Sequence, residues 1–250
     1  MTMWVFGDSF SRHFKYLPDT WVEKTAQILR QDVVSHSRPV YPLELIFHKF
    51  NEERNKIKEN DIIIHTLTNI DRRWWFPNQV FKTYMDYNEE ETEAENYYKA
   101  YLKNFEEIHF VYLTNFLFNL NDFTRRNNTH TIVIANFNDY DEFLPKIQKD
   151  LPAIHFGKGS MCLASNYEWK KEIVKYATME FYVRQDKRLN HFCRRNHHII
   201  CDKIVDNIRK KIPIDFTQGM ETDFLTEELL EEPDFREYEL YKDEWKVAGL

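Results

Sequence analysis

Residues 1–10 read MTMWVFGDSF. Met3, Trp4, Val5 and Phe6 form a short apolar run of the kind that makes a buried strand, and Gly7-Asp8-Ser9 breaks it with small, turn-prone residues. A strand that ends in a hydroxyl-bearing tripeptide has two readings. It is an ordinary exit into a loop, or it carries a nucleophile to the carboxyl end of a parallel strand, where open α/β sheets place their sites. The other 240 residues decide between them.

Apolar runs and amphipathic stretches alternate along the chain. Strands are expected at Met3–Gly7, Asp32–Ser37, Asp61–Leu67, Thr131–Phe137 and Leu151–Phe156, the third being the clearest because DIIIHTL is β-branched and bounded by Glu59-Asn60. Helices are expected after Asp19-Thr20, which offers an N-cap, over Leu43–Ile57 and over a long stretch from about Thr92 to Asp122. Further helices are expected over Asp139–Lys149, behind the capping box of Ser165 and Glu168, and over Arg194–Lys210. This order predicts a flavodoxin-like three-layer α/β/α domain around a five-stranded parallel sheet. Residues 71–87 (DRRWWFPNQVFKTYMDY) read as a loop rich in aromatic and charged residues.

At 250 residues, with 42% hydrophobic and 16% aromatic content, the chain suffices for one generous α/β domain with an appendage. Residues 1–211 carry 29 acidic and 31 basic side chains, whereas 212–250 carry 12 acidic against 3 basic. The net charge of −7 therefore belongs to an acidic C-terminal extension, within which Phe224, Leu225, Leu229, Leu230, Phe235, Tyr238, Tyr241 and Trp245 predict packing on the domain or on a partner subunit. No basic excess marks a nucleic-acid binder, and no apolar window reaches the length of a membrane span. Cys162, Cys193 and Cys201 are an odd number without metal-ligand spacing, so free thiols in a reducing compartment are expected, with no metal or other cofactor. Strand-like residues from position 3 leave no room for a signal peptide, and a cytoplasmic location in the producing cell is expected.

Three stretches would meet at one edge of such a sheet: Gly7-Asp8-Ser9, the segment HTLTNIDRRWW with Asn69 just beyond the third strand, and RQDKRLNHFCRRNHH with His191 ahead of the last helix. Together they resemble the SGNH hydrolase superfamily, the GDSL-type esterases, over roughly residues 3–210. The family's last block usually reads Asp-x-x-His, with a Gly-His pair ending six residues after the first His. Here His191 and His197 keep that spacing, with Asn196 at the usual Gly.

The chain departs from the pattern in three places. Arg188 stands where the family has its triad Asp, and Asp186 is the nearest substitute; SHSRP follows the second strand where a Gly amide is usual; and Leu67-Thr68-Asn69-Ile70 keeps only the Asn of Gly-x-Asn-Asp. Viral members have similarly worn motifs, so the resemblance extends to them and implies a virion-associated place.

The roles that the resemblance implies follow the chemistry of the residue types. Ser9 is the nucleophile, His191 the base that takes its proton, and Asp186 the carboxylate behind the imidazole. The oxyanion hole would comprise the Ser9 amide, an amide at Ser37 or Arg38, and the Asn69 side chain. Asp8 would brace the turn through backbone amides. Arg72, Arg73, Trp74 and Trp75, following Asn69, would overhang the site and suit stacking on a sugar or gripping an anion. Each has a plainer alternative: a turn serine, a helix-start histidine, a turn-forming asparagine, surface charge at Asp186, and aromatics packed on the long helix.

Two classes of function remain open at this level. One is a serine ester hydrolase acting on a small ester or an O-acetylated carbohydrate. The other is a binding or structural protein, such as a virion component, that keeps the scaffold and has lost turnover.

Overall fold

The computed structural model describes residues 1–11, 20–38, 41–70, 72–75, 80–83, 105–161, 192 and 194–220, with backbone alone at 72–75, 80–83, 105, 106, 138, 194 and 195. Asp186, His191, Cys162, Cys193, the capping box at Ser165 and Glu168, and residues 221–250 lie outside them.

Five parallel strands make the main sheet: β1 (Thr2–Phe6), β2 (Asp32–Ser35), β3 (Ile62–Leu67), β6 (His130–Ala135) and β7 (Ile154–Phe156). Their order is β2-β1-β3-β6-β7, the flavodoxin-like arrangement in which successive strands switch from one side of β1 to the other, leaving a crevice between β1 and β3. The central strands are continuous apolar runs because both their faces are covered. All six residues of β3 are buried, whereas edge strand β2 is half-buried and short.

Alternation along β1 separates the two cores. Met3 and Val5 face a layer formed by α1 (Trp21–Leu29) and α5 (Arg194–Lys210), with Val22, Ala26, Ile200 and Ile204 packed on Ile62, Ile64, Ile132 and Ile134. Trp4 and Phe6 face α2 (Leu43–Glu53) and α3 (Phe105–Asn127), which contribute Ile46, Phe47, Phe50, Leu113, Phe116 and Leu120. The fold is therefore the expected three-layer α/β/α.

Several local expectations are corrected. The segment 72–83 is not wholly loop: β4 (Arg72–Trp75) and β5 (Val80–Thr83) form an antiparallel hairpin, for which aromatic and β-branched residues are suited. The helix expected at Asp139–Lys149 is broken into a 3-10 turn, Asn138–Tyr140, the short helix α4 (Leu144–Ile147) and a second 3-10 turn. Pro145 lies in the first turn of α4, where its missing N–H costs nothing, and cannot lie deep in a longer helix. Thr20 occupies the N-cap position of α1 but makes no side-chain cap bond. The Trp21 amide donates instead to His197 Nδ1 at 3.1 Å.

The start of the acidic segment is part of the domain. Asp215 bridges Lys158 in parallel just beyond β7, and Ile214 and Phe216 are buried in the core beneath α1 and α5. Lys203 Nζ donates to the carbonyls of Asp215 and Gln218 at 2.7 and 3.1 Å, fixing this return.

Candidate active site

Ser9 opens a 3-10 turn, Ser9–Ser11, at the carboxyl end of β1 and is only 7% exposed. Gly7 is required by crowding. A Cβ there would lie 1.8 Å from Thr66 Oγ1 and 2.2 Å from Ser11 Oγ. Ser11 Oγ sits among three oxygens, 2.7 Å from Thr66 Oγ1, 3.0 Å from Ser37 Oγ and 3.2 Å from the Asp8 carbonyl. These contacts draw the ends of β1, β2 and β3 together.

Asp8 is fully buried and braces the turn more extensively than the backbone role expected of it. Its Oδ1 accepts from the Phe10 amide at 3.1 Å and from Asn136 Nδ2 at 2.6 Å, and its Oδ2 accepts from Thr68 Oγ1 at 2.9 Å. Thr68 is fixed in turn, because Tyr140 Oη donates to its carbonyl at 2.6 Å and lies 3.3 Å from His109 Nε2. A carbonyl only accepts, so the Tyr140 proton is committed there and His109 Nε2 is the donor to Tyr140.

Two of the amides expected in the oxyanion hole, those of Ser37 and Arg38, have internal acceptors. Ser37 is buried and its N–H donates to Ser35 Oγ at 3.3 Å; Arg38 is exposed and its N–H donates to the Gly7 carbonyl at 3.3 Å. Asn69 follows Thr68 at the end of β3 and is half-buried, and the next amide, Ile70, donates to Asp139 Oδ2 at 3.2 Å. The backbone of Arg72, Arg73, Trp74 and Trp75 forms the hairpin strand β4, which lies against α2.

Around the last block, Phe192 and His197 are fully buried. Phe192 packs on Phe10 with ring centroids 5.3 Å apart, and His197 meets Phe192 edge-on at 5.5 Å. His197 serves the architecture by receiving the first amide of α1. Sequence reasoning did not find Asn136, Thr68 or Ser11. For Asn136 and Thr68 the available signal was a polar residue at the end of a β-branched run, as in TIVIAN and IIIHTLT.

A concavity of about 730 Å³ lies elsewhere, between α2 and α3, with Phe47, Phe50 and Phe116 among its walls. Among the described residues, no group of three His, Cys, Asp or Glu side chains is placed to hold a metal ion, and no helix is long and apolar enough to cross a membrane.

The chain matches no protein-family model and none of the curated proteins. A similar solved structure is that of a member of the lipolytic protein G-D-S-L family from Veillonella parvula DSM 2008, 10% identical, with a TM-score of 0.44 over 85% of this chain and 100% of that one. The fold assignment rests on the strand order and register themselves.

Proposed function

We propose that the protein is a serine ester hydrolase of the SGNH type, with Ser9 as nucleophile and an O-acetylated carbohydrate as substrate. One observation carries this reading: the buried Gly7-Asp8-Ser9 turn stands at the carboxyl end of β1, beside the point where the strand order switches side, and Phe10 packs on Phe192. Phe10 follows Ser9 and Phe192 follows His191, so this ring contact supports a Ser9–His191 pair. Adjacent Cα atoms are only about 3.8 Å apart.

In the proposed reaction His191 takes the Ser9 proton as Oγ attacks the ester carbonyl, and Asp186 holds the imidazole. The Ser9 amide and the Asn69 side chain receive the oxyanion. An amide at Ser37 or Arg38 joins them on exchanging its 3.3 Å internal bond for the substrate. His191 then protonates the departing sugar oxygen, which leaves as a free hydroxyl, and water, activated by the same imidazole, releases acetate from the acyl-Ser9. The hairpin residues Arg72, Arg73, Trp74 and Trp75 are assigned to the sugar. The internally bonded Ser37 and Arg38 amides, with Arg188 in place of the triad Asp, favour a second reading, a binding protein on the same scaffold.

A fluorophosphonate probe separates the two. Labelling is expected in the wild type and absent in Ser9→Ala, with hydrolysis of p-nitrophenyl acetate and of an acetylated polysaccharide falling at least about 10³-fold. A folded wild-type protein that neither labels nor turns over would leave the binding protein as the function.

A further inference from the structure

We propose that Asn136 is a positioning residue for Ser9, acting through the carboxylate of Asp8; this rests on Ser9 being the nucleophile. Asn136 is the first residue after β6 and is fully buried. Its backbone amide donates to the Leu67 carbonyl at 3.0 Å, carrying the β3–β6 pairing one residue past the strands. The side chain is therefore delivered to the carboxyl edge by the sheet itself. There Nδ2 donates to Asp8 Oδ1 at 2.6 Å across 128 residues of sequence. A carboxylate oxygen only accepts, so the reverse orientation of the amide would set two oxygens against each other at that distance.

The consequence for Ser9 is geometric. The same Oδ1 receives the Phe10 amide at 3.1 Å, and this Asp8-to-Phe10 ring encloses Ser9. Thr68 holds the other oxygen at 2.9 Å. Three donors from the ends of β1, β3 and β6 thus fix the carboxylate, and the carboxylate fixes the residues on either side of Ser9. A second observation concerns the other end of the Asn136 amide. Its Oδ1 is buried and has no hydrogen-bond partner among the described residues, so the Nδ2 bond to Asp8 is the side-chain contact on which its role rests. Misplacing a reacting atom by about 1 Å costs on the order of a hundredfold in rate.

The test uses the full-length protein with Asn136→Asp, Asn136→Leu and the pair Thr68→Val and Thr68→Ser. It reads the rate of fluorophosphonate labelling and the pH profile of p-nitrophenyl acetate hydrolysis. In Asn136→Asp two carboxylates 2.6 Å apart must share a proton, so labelling should fall about 30-fold at pH 8 and the shortfall against wild type should narrow towards pH 6. Asn136→Leu should lower kcat at both pH values with KM unchanged. Thr68→Ser should keep the rate that Thr68→Val loses. Wild-type labelling in folded Asn136→Asp, or a shortfall equal at pH 6 and pH 8, would overturn the assignment. So would equal rates in the two Thr68 variants, a comparison that stands even if the Asn136 variants do not fold. If the wild type itself does not label, the nucleophile reading fails separately, and amide exchange at Phe10 decides the brace. Faster exchange in Asn136→Leu supports it, and unchanged exchange removes it.

Discussion

Two buried aspartates stand at opposite ends of the same central strands and solve the same electrostatic problem with different donors. Asp61, just before β3, is 2% exposed and accepts from the Thr2 amide at 2.7 Å, the Lys58 amide at 2.9 Å and Trp4 Nε1 at 2.9 Å. Asp8, just after β1, is fully buried and accepts from the Phe10 amide, Thr68 Oγ1 and Asn136 Nδ2. Among the described residues, every donor to Asp61 is an N–H that can do nothing else. Among the donors to Asp8 are the side chains of Thr68 and Asn136, and the Thr68 hydroxyl can also accept. The amino end of the sheet is thus tied by a fixed clasp. The carboxyl end is tied by an adjustable one, beside the residue proposed to react.

The clasp at Asp61 should show the largest effect on stability. Burial acts to raise the pKa of this carboxyl, but the hydrogen bonds from Lys58, Thr2 and Trp4 outweigh it and hold the group below the usual carboxylate range. Asp61→Ala strands all three donors and should cost on the order of 4 kcal/mol in urea unfolding. A loss under about 1 kcal/mol would mean that water replaces the carboxylate, and the clasp would be no more than a contact.

A third buried polar residue sharpens the contrast because it has no clasp. His65, in the middle of β3, is fully buried between Phe6, Phe47, Phe50 and Phe116, and neither ring nitrogen has a hydrogen-bond partner among the described residues. Burial pushes its pKa down to about 3. The folded protein therefore binds fewer protons at His65 than the unfolded chain does. Its stability is intact above about pH 6.5 and falls as the pH drops towards 3. Between pH 7 and pH 4 this should remove about 3 kcal/mol. His65→Leu should flatten the pH profile by about that amount and leave stability at pH 7 equal or higher. Burial also lowers His36, His130 and His155, so the wild-type profile sums several groups and the difference between the two proteins isolates one. Parallel profiles would show that His65 is solvated in the folded protein.

The same contrast explains what could be read from the chain alone. β1, β3 and β6 were legible because central parallel strands are nearly pure runs such as IIIHTL and TIVIA, and the bounds of Arg194–Lys210 follow from its regular apolar spacing. The hairpin at 72–83 was hidden because Arg72-Arg73-Trp74-Trp75 alternates in no simple polar–apolar pattern. Ser9 stood out because Gly7-Asp8-Ser9 is a local motif. Asn136 did not, since its contact with Asp8 depends on the register of β6 against β3 and of β3 against β1. His197 was legible as a position in a pattern, whereas its contact with the first amide of α1 depends on how α1 and α5 pack. Asp186 and His191 lie outside the described residues.

The smallest expected effect separates the two clasps most cleanly. Asparagine keeps the shape of aspartate but turns one acceptor into a donor. At position 61 the new NH2 must face an N–H, from Thr2 on one side or from Trp4 and Lys58 on the other, and none of these can accept. At position 8 the NH2 can face Thr68, whose hydroxyl rotates to accept, while the remaining oxygen keeps Phe10 and Asn136. Asp61→Asn should therefore cost about 2 kcal/mol and Asp8→Asn about 1 kcal/mol or less. The tolerance at position 8 should vanish when the hydroxyl is removed. In a Thr68→Val background the same Asp8→Asn change loses the Thr68 oxygen as an acceptor, and the two substitutions should be coupled by about 1 kcal/mol in a double-mutant cycle. Additive effects there would mean that the Thr68 hydroxyl does not switch roles, and the carboxyl-end clasp would be as rigid as the one at Asp61.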